Sequence, residues 1–211
     1  VHGAELLRLA EVNNVQLRFE AAVCGGIPVI KMIRESLLAN RITNILGIVN
    51  CTTNYILTKM TTDNKTFNDA LIEAQKAGYA EADPTLDIDG TDAVQKMAIL
   101  GTLAFRKWIS FQDAFWEGIE TITPEDINFA DISNFLFKLI AIGRLIDGAP
   151  SITVFPCLVP KSHPLATVNN EFNAVMIDSD FQGSSVLSGK GAGGNPTASS
   201  VGADLADLLS G

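Results

Sequence analysis

The chain has 211 residues, 47% hydrophobic and 18% charged, the composition of a folded globular protein with a sizeable core rather than of a disordered one. Its formal net charge of -9 argues against a nucleic-acid surface, where phosphate neutralisation needs clustered Lys and Arg. No apolar run approaches the roughly 18 residues of a membrane span. Three widely spaced cysteines, Cys24, Cys51 and Cys157, point to a reducing, cytoplasmic setting rather than to disulfides or a metal knuckle.

In chain order, residues 4–12 pattern as an amphipathic helix rather than a signal peptide. "VQLRFEAAV" (15–23) predicts a buried strand, which Gly25, Gly26 and Pro28 end before a helix over "VIKMIRESLLAN". "ITNILGIVN" (42–50) predicts a second strand, and "TTNYILTKM" a helix capped near Thr52 or Thr53. The next helix, 66–78, opens on a Thr66/Asp69 capping pair and stops at Gly78. "TDAVQKMAILGTLAF" follows as a helix with Val94, Met97, Ala98 and Gly101 toward the core. Residues 124–147 predict two more helices, "PEDI" and "ISNFLFKLIAIGRLI". From 151 the pattern turns to strands, "SITVFPCLV", "NAVMIDSD" and "SSVLSG", and a glycine loop then leads to a closing helix over 195–211. Alternating elements followed by grouped strands predict one α+β domain over 1–211, with a mixed β-sheet.

The connection "GYAEADPTLDIDGTDAVQK" (78–96) carries five carboxylates, Glu81, Asp83, Asp87, Asp89 and Asp92, ahead of one lysine, Lys96. Asp92 and Lys96 are four apart at a helix start and so share a face. Spacing alone leaves two readings open. One is an ordinary surface ion pair of about 0.2–0.5 kcal/mol; the other is an acid-lined pocket for a cation, with a lysine able to donate a proton. No acid spacing matches a calcium loop, and His2 and His163 lie far away, so a substrate ammonium suits the acids better than a metal. The glycine stretches carry less. "GSSVLSGKG" fails as a phosphate loop because Gly191 stands where Ser or Thr is needed, and "VCGGIP" lacks the dinucleotide fingerprint, so no Rossmann domain is found in this sequence.

Four stretches, read in order, resemble homoserine dehydrogenase: "FEAAVCGGIPVIK" (19–31), "GIVNCTTNYIL" (47–57), "GYAEADPTLDIDGTDAVQK" (78–96) and "GKGAGGNPTASSVGADL" (189–205). "EGIETITPEDI" (117–127) is a fifth, less specific match. The resemblance covers nearly the whole chain and implies a sheet with helices packed mainly on one face. It also implies reduction of L-aspartate 4-semialdehyde to L-homoserine with NADP or NAD as the cofactor couple, toward threonine and methionine. By position, Lys96 resembles the family's proton donor. Glu81 and Asp92 resemble the carboxylates that hold the substrate amino group, and Asp87 a supporting acid. Gly78 and Gly193 match backbone positions near the nicotinamide, and Glu20, Val23, Gly25 and Ile27 match a monovalent-cation loop that usually takes sodium. Cys24 and Cys51 stand where the family commonly has glycine, a residue that permits positive φ or close approach. The family's N-terminal Rossmann domain has no counterpart in this sequence, and the closing helix is expected to pack toward such a domain. The resemblance further implies a homodimer built through the late strands (151–188), in line with their exposed edges. A reading from another class stays open: a non-catalytic dimerisation or regulatory module derived from that enzyme.

Overall fold

The computed structural model describes residues 2–210. It begins with helix α1 (Gly3–Val12), then passes through irregular chain to a 3-10 turn at Glu20–Ala22. The strand expected over 15–23 does not form. Val15 is 59% and Leu17 37% exposed, so the apolar alternation there has nothing to pack against and no ladder partner. At its end, the buried Glu20 carboxylate instead accepts hydrogen bonds from Ile30 N (2.9 Å) and Lys31 N (2.7 Å). Those are orphan donors of helix α2 (Val29–Lys31), so Glu20 acts as a remote cap. The expected helix continues as a π-helical turn at Met32–Ser36.

Strand β1 (Ile42–Ile48) and helix α3 (Cys51–Thr62) form as expected, but the cap is Asn50, not Thr52 or Thr53. Its side chain accepts from Thr53 N at 2.9 Å while its own backbone stays extended. Helix α4 (Phe67–Lys76) carries the expected Thr66 cap, and Gly78 follows it at φ 78°. The acidic connection folds a single turn, α5 (Thr85–Ile88), before α6 (Thr91–Phe105), and Asp89 Oδ1 accepts from Thr91 N at 2.8 Å. After the short strand β2 (Phe115–Trp116), α7 (Pro124–Ile132) opens on a full Thr123/Asp126 capping box.

The stretch "ISNFLFKLIAIGRLI" also departs from the sequence expectation. The expected helix is strand β3 (Phe135–Ile146), paired along its whole length with β4 (Ala149–Pro160). Leu139 and Ala141 join the large core and Ile140 a second cluster, so both faces are apolar and the period-2 signal vanishes. Asp147 and Gly148, both at positive φ (51° and 79°), make the tight turn that selects the hairpin. Strands β5 (Phe172–Ser179) and β6 (Gly183–Lys190) and helix α8 (Gly194–Ser210) complete the chain.

The six strands form one sheet in the order β2-β4-β3-β1-β5-β6, parallel only between β2 and β4. One face buries Ile45, Val154 and Val175 against Ile56 and Met60 of α3, Ala70 of α4 and Met97 and Leu100 of α6. The other has a smaller cluster of Ile48, Ile140 and Val159 under a 3-10 turn at Pro164–Thr167. This is the expected α+β fold, a mixed sheet with its helices mainly on one face. Gly118 is the contact that docks the acidic loop on the rest. Ile119 N donates to the Ile88 carbonyl (2.9 Å), and a Cβ at Gly118 would drive into that carbonyl and the Asp89 backbone. Gly118→Ala is therefore expected to cost about 1–3 kcal/mol through overpacking; an unchanged melting temperature would contradict this docking.

Candidate active site

The sequence ends β1 at Ile48 and starts α3 at Cys51, so Val49 and Asn50 turn across the start of α3 toward the acidic loop. Asn50 is 3% exposed. Its Oδ1 caps α3 through Thr53 N and also accepts from Thr53 Oγ1 (2.9 Å). Its Nδ2 donates to Asp87 Oδ1 (2.7 Å) and to Asp92 Oδ2 (2.9 Å). The other Asp87 oxygen lies 2.9 Å from Thr52 Oγ1, a hydroxyl also 2.8 Å from the Tyr79 carbonyl. Two carboxylates from α5 and α6 are thus fixed side by side by residues at the head of α3.

Lys96 closes the cluster. Its ammonium pairs with Asp92 Oδ2 at 2.7 Å and donates to the Val49 carbonyl at 3.2 Å. The two side chains are only 23% and 29% exposed, which decides against the fully solvated surface pair and in favour of a half-buried one. Burial works to lower the Lys96 pKa, but the charge of Asp92 and its hydrogen bond outweigh that and hold it above the ordinary lysine value. The group is an ammonium at neutral pH. With Asp87 and Asp92 facing one Lys96, the cluster keeps one unmatched negative charge, suited to a further cationic group.

Cys24 and Cys51 both lie in the field of Lys96, which partly offsets the rise that burial imposes on each thiol; Cys24 is pushed up to about 11. Cys24 adopts φ 56°, the left-handed region that explains why a glycine suits this position. All three cysteines are free.

The other sequence-picked residues sit around this cluster rather than in it. Glu81 is exposed; its carbonyl accepts from Gln75 Nε2 (3.1 Å), and its carboxylate stands outside the Asn50–Asp87–Asp92 network. Gly78 and Gly193 are exposed with φ of 78° and 112°, and a Cβ at Gly78 would meet open space, so conformation rather than crowding requires glycine there. Glu20, Val23, Gly25 and Ile27 form one loop against α8 and the 189–194 glycine loop. Ser200 Oγ donates to the Gly25 carbonyl (2.7 Å), Val29 N to that of Ile27 (2.7 Å), and Gly26 N to that of Lys190 (3.2 Å). Among the described residues no group of three or more His, Cys, Asp or Glu side chains is arranged to hold a metal ion. A hard cation at this loop would rest on main-chain oxygens and Glu20, a donor set of the type such ions take.

Asn50 and Thr52 hold the two carboxylates of the candidate site, a part that sequence reasoning did not assign to them. The available signal was an Asn placed directly between a strand and a helix start, the commonest kind of cap. Asn50→Ala removes the α3 cap and frees two half-buried carboxylates to repel each other. The expected cost is about 1–2 kcal/mol, read as a lower melting temperature together with a change in the Lys96 titration; a neutral result in both would contradict the bridging role.

No helix among the described residues is long and apolar enough to cross a membrane. The homoserine dehydrogenase family model matches residues 28–206. The homoserine dehydrogenase of Pseudomonas aeruginosa is 47% identical over 209 residues, covering 99% of this chain and 48% of that protein, and that of Bacillus subtilis is 44% identical with the same coverage. A crystal structure of a homoserine dehydrogenase from Thiobacillus denitrificans superposes with a TM-score of 0.96 at 44% identity, over 98% of this chain and 48% of that one. A hyperthermophilic archaeal homoserine dehydrogenase in complex with NADPH gives 0.84 at 34% identity, over 99% of this chain and 60% of that one. The chain spans about half the length of the curated relatives it matches. On the family match, these identities and the shared fold, the chain belongs to the homoserine dehydrogenase family.

Proposed function

We propose that this chain is the substrate-binding catalytic part of an oxidoreductase that reduces L-aspartate 4-semialdehyde reversibly to L-homoserine, in the cytoplasmic route to threonine and methionine. The observation that carries the proposal is the Lys96 ammonium, held charged by Asp92 inside a network that Asn50 and Thr52 orient. Reduction of an aldehyde builds alkoxide charge on oxygen, and a positioned ammonium neutralises it by giving up a proton. Lys96 does so here. Asp92 and Glu81 hold the substrate ammonium, Glu81 by moving in from its exposed position, and Asp87 keeps Asp92 in place through Asn50. The desolvated pairing strengthens recognition of a zwitterionic amino acid over an uncharged aldehyde.

NAD or NADP, when bound, supplies the hydride. Gly78 and Gly193 suit that group, because both are exposed and at positive φ, and one archaeal relative is in complex with NADPH. A sodium ion on Glu20, Val23, Gly25 and Ile27 would stiffen the loop that carries Cys24. The helix α8 is proposed to face a cofactor domain, which fits Val201, Leu205 and Leu209 being 46%, 56% and 89% exposed.

In an enzyme that includes its cofactor domain, Lys96→Ala is expected to reduce turnover by about 10²–10⁴-fold with cofactor binding intact; near-normal turnover would remove Lys96 from the mechanism. The raised Lys96 pKa fixes the pH behaviour. Aldehyde reduction uses the ammonium and is lost only as pH rises through that raised value, whereas homoserine oxidation needs the neutral amine and climbs through the alkaline range. A flat alkaline profile for homoserine oxidation would contradict this. We also propose a homodimer through the 151–188 strands, since the sheet face away from the helices leaves Val186 44% exposed beside half-buried Met176, with half-buried Phe155 farther across the same face. Sedimentation at micromolar concentration is expected to show twice the chain mass, and a monomer would contradict it.

A further inference from the structure

A second positive charge is buried well away from the Lys96 cluster. Lys138 of β3 is 2% exposed, and its ammonium donates to Asn54 Oδ1 (3.0 Å), the Val168 carbonyl (2.5 Å) and Asn169 Oδ1 (3.1 Å). All three acceptors are neutral. Of the charged groups on the neighbouring elements, Lys59 pairs with Asp63 at the end of α3 and Lys161 with Asp131 of α7, while half-buried Glu171 and exposed Glu125 make no ion pair with Lys138. The residue opposite on β4, Cys157, is a thiol pushed up to about 11 by burial and so uncharged, and His163 of the 161–171 segment turns its ring to the Leu165 N–H. With no charged partner among the described residues, burial alone acts on Lys138 and pushes its pKa down to about 8. A charge removed from water is costly unless paired, so the site lacks its counter-ion.

Lys138 also lines a cavity of about 120 Å³, with Thr61 and Thr62 of α3 on one side and Leu136 and Phe137 on the other. We infer that this cavity binds a small organic carboxylate, with Lys138 as the counter-charge and Leu136 and Phe137 against a short apolar tail. Two of the three ammonium hydrogens are fixed on buried acceptors, Asn54 and Val168. The third goes to Asn169, an exposed residue that also lines the cavity and holds the longest of the three bonds. Rotation of that side chain hands the third N–H to the anion, exchanging a neutral hydrogen bond for a charge-assisted one. The volume admits an acid of a few carbons and excludes a nucleotide or a drug-sized ligand. This site shares no residue with the Lys96 cluster, so it stands or fails separately from the proposed reaction.

The test is the melting temperature of the full chain in sodium propionate against sodium chloride of equal ionic strength. Propionate is expected to raise the melting temperature at pH 7, since a ligand that binds only the folded state stabilises it. Its apparent affinity should fall about tenfold by pH 9, as Lys138 loses its proton. Lys138→Met should abolish the propionate effect, and Asn169→Ala, which removes the competing acceptor, should preserve it. The absence of a propionate-specific shift at pH 7 overturns the inference, as does a shift undiminished at pH 9 or retained in Lys138→Met. Should Lys138→Met fail to fold, the pH dependence of the unaltered chain decides the matter alone.

Discussion

One carboxamide ties the fold to the chemistry. Asn50 must cap α3, because the first N–H groups of a buried helix cannot be left without partners. That requirement fixes its Oδ1 on Thr53 and thereby aims its Nδ2 outward, where it meets Asp87 and Asp92 together. The position of both carboxylates is therefore set by helix capping, a demand of folding that exists without any substrate. Thr52, the next residue but one, adds a hydroxyl to Asp87 from the same helix turn. The proposed substrate site thus has its α3 side fixed by a helix cap, while Glu81 on the loop side is exposed.

The electrostatics follow from where that cap lies. Two like charges held side by side at a half-buried margin need a cation, and Lys96, one helical turn beyond Asp92, provides it. Burial opposes the charge on Lys96 and Asp92 restores it, with the second effect the larger. Lys138, more deeply buried and with neutral partners only, behaves differently: it falls to about 8. The two lysines thus shift in opposite directions, and Lys96 has beside it the carboxylate that Lys138 lacks.

Much of this was legible in the sequence. The Thr66 cap, helix α6 and its buried residues, the late strands and the closing helix all follow from local chemistry, and the Asp92–Lys96 pairing follows from their spacing. The failures share a cause. Residues 15–23 alternate like a strand, but alternation does not supply a neighbouring strand, and Glu20 is needed at α2 instead. The 133–147 stretch is buried on both faces, so it reads equally as helix or strand until Asp147-Gly148 is taken as a hairpin turn. Asn50 was overlooked because two threonines beside it also suit a cap. Glu81 illustrates the remaining limit: its place in a motif is visible in sequence, whereas its exposed position depends on how the loop rests on Gly118 and α4.

In the proposed reaction, the network around Asn50 presents Lys96 to the reacting oxygen of a substrate whose ammonium is held by Asp92. A crystal structure of the enzyme with its cofactor domain and L-homoserine bound tests it most directly. The homoserine hydroxyl is expected within hydrogen-bonding distance of Lys96 Nζ, with the amino group against Asp92 and Glu81 drawn in. Homoserine bound with its hydroxyl away from Lys96, or its amino group on other residues, would contradict it.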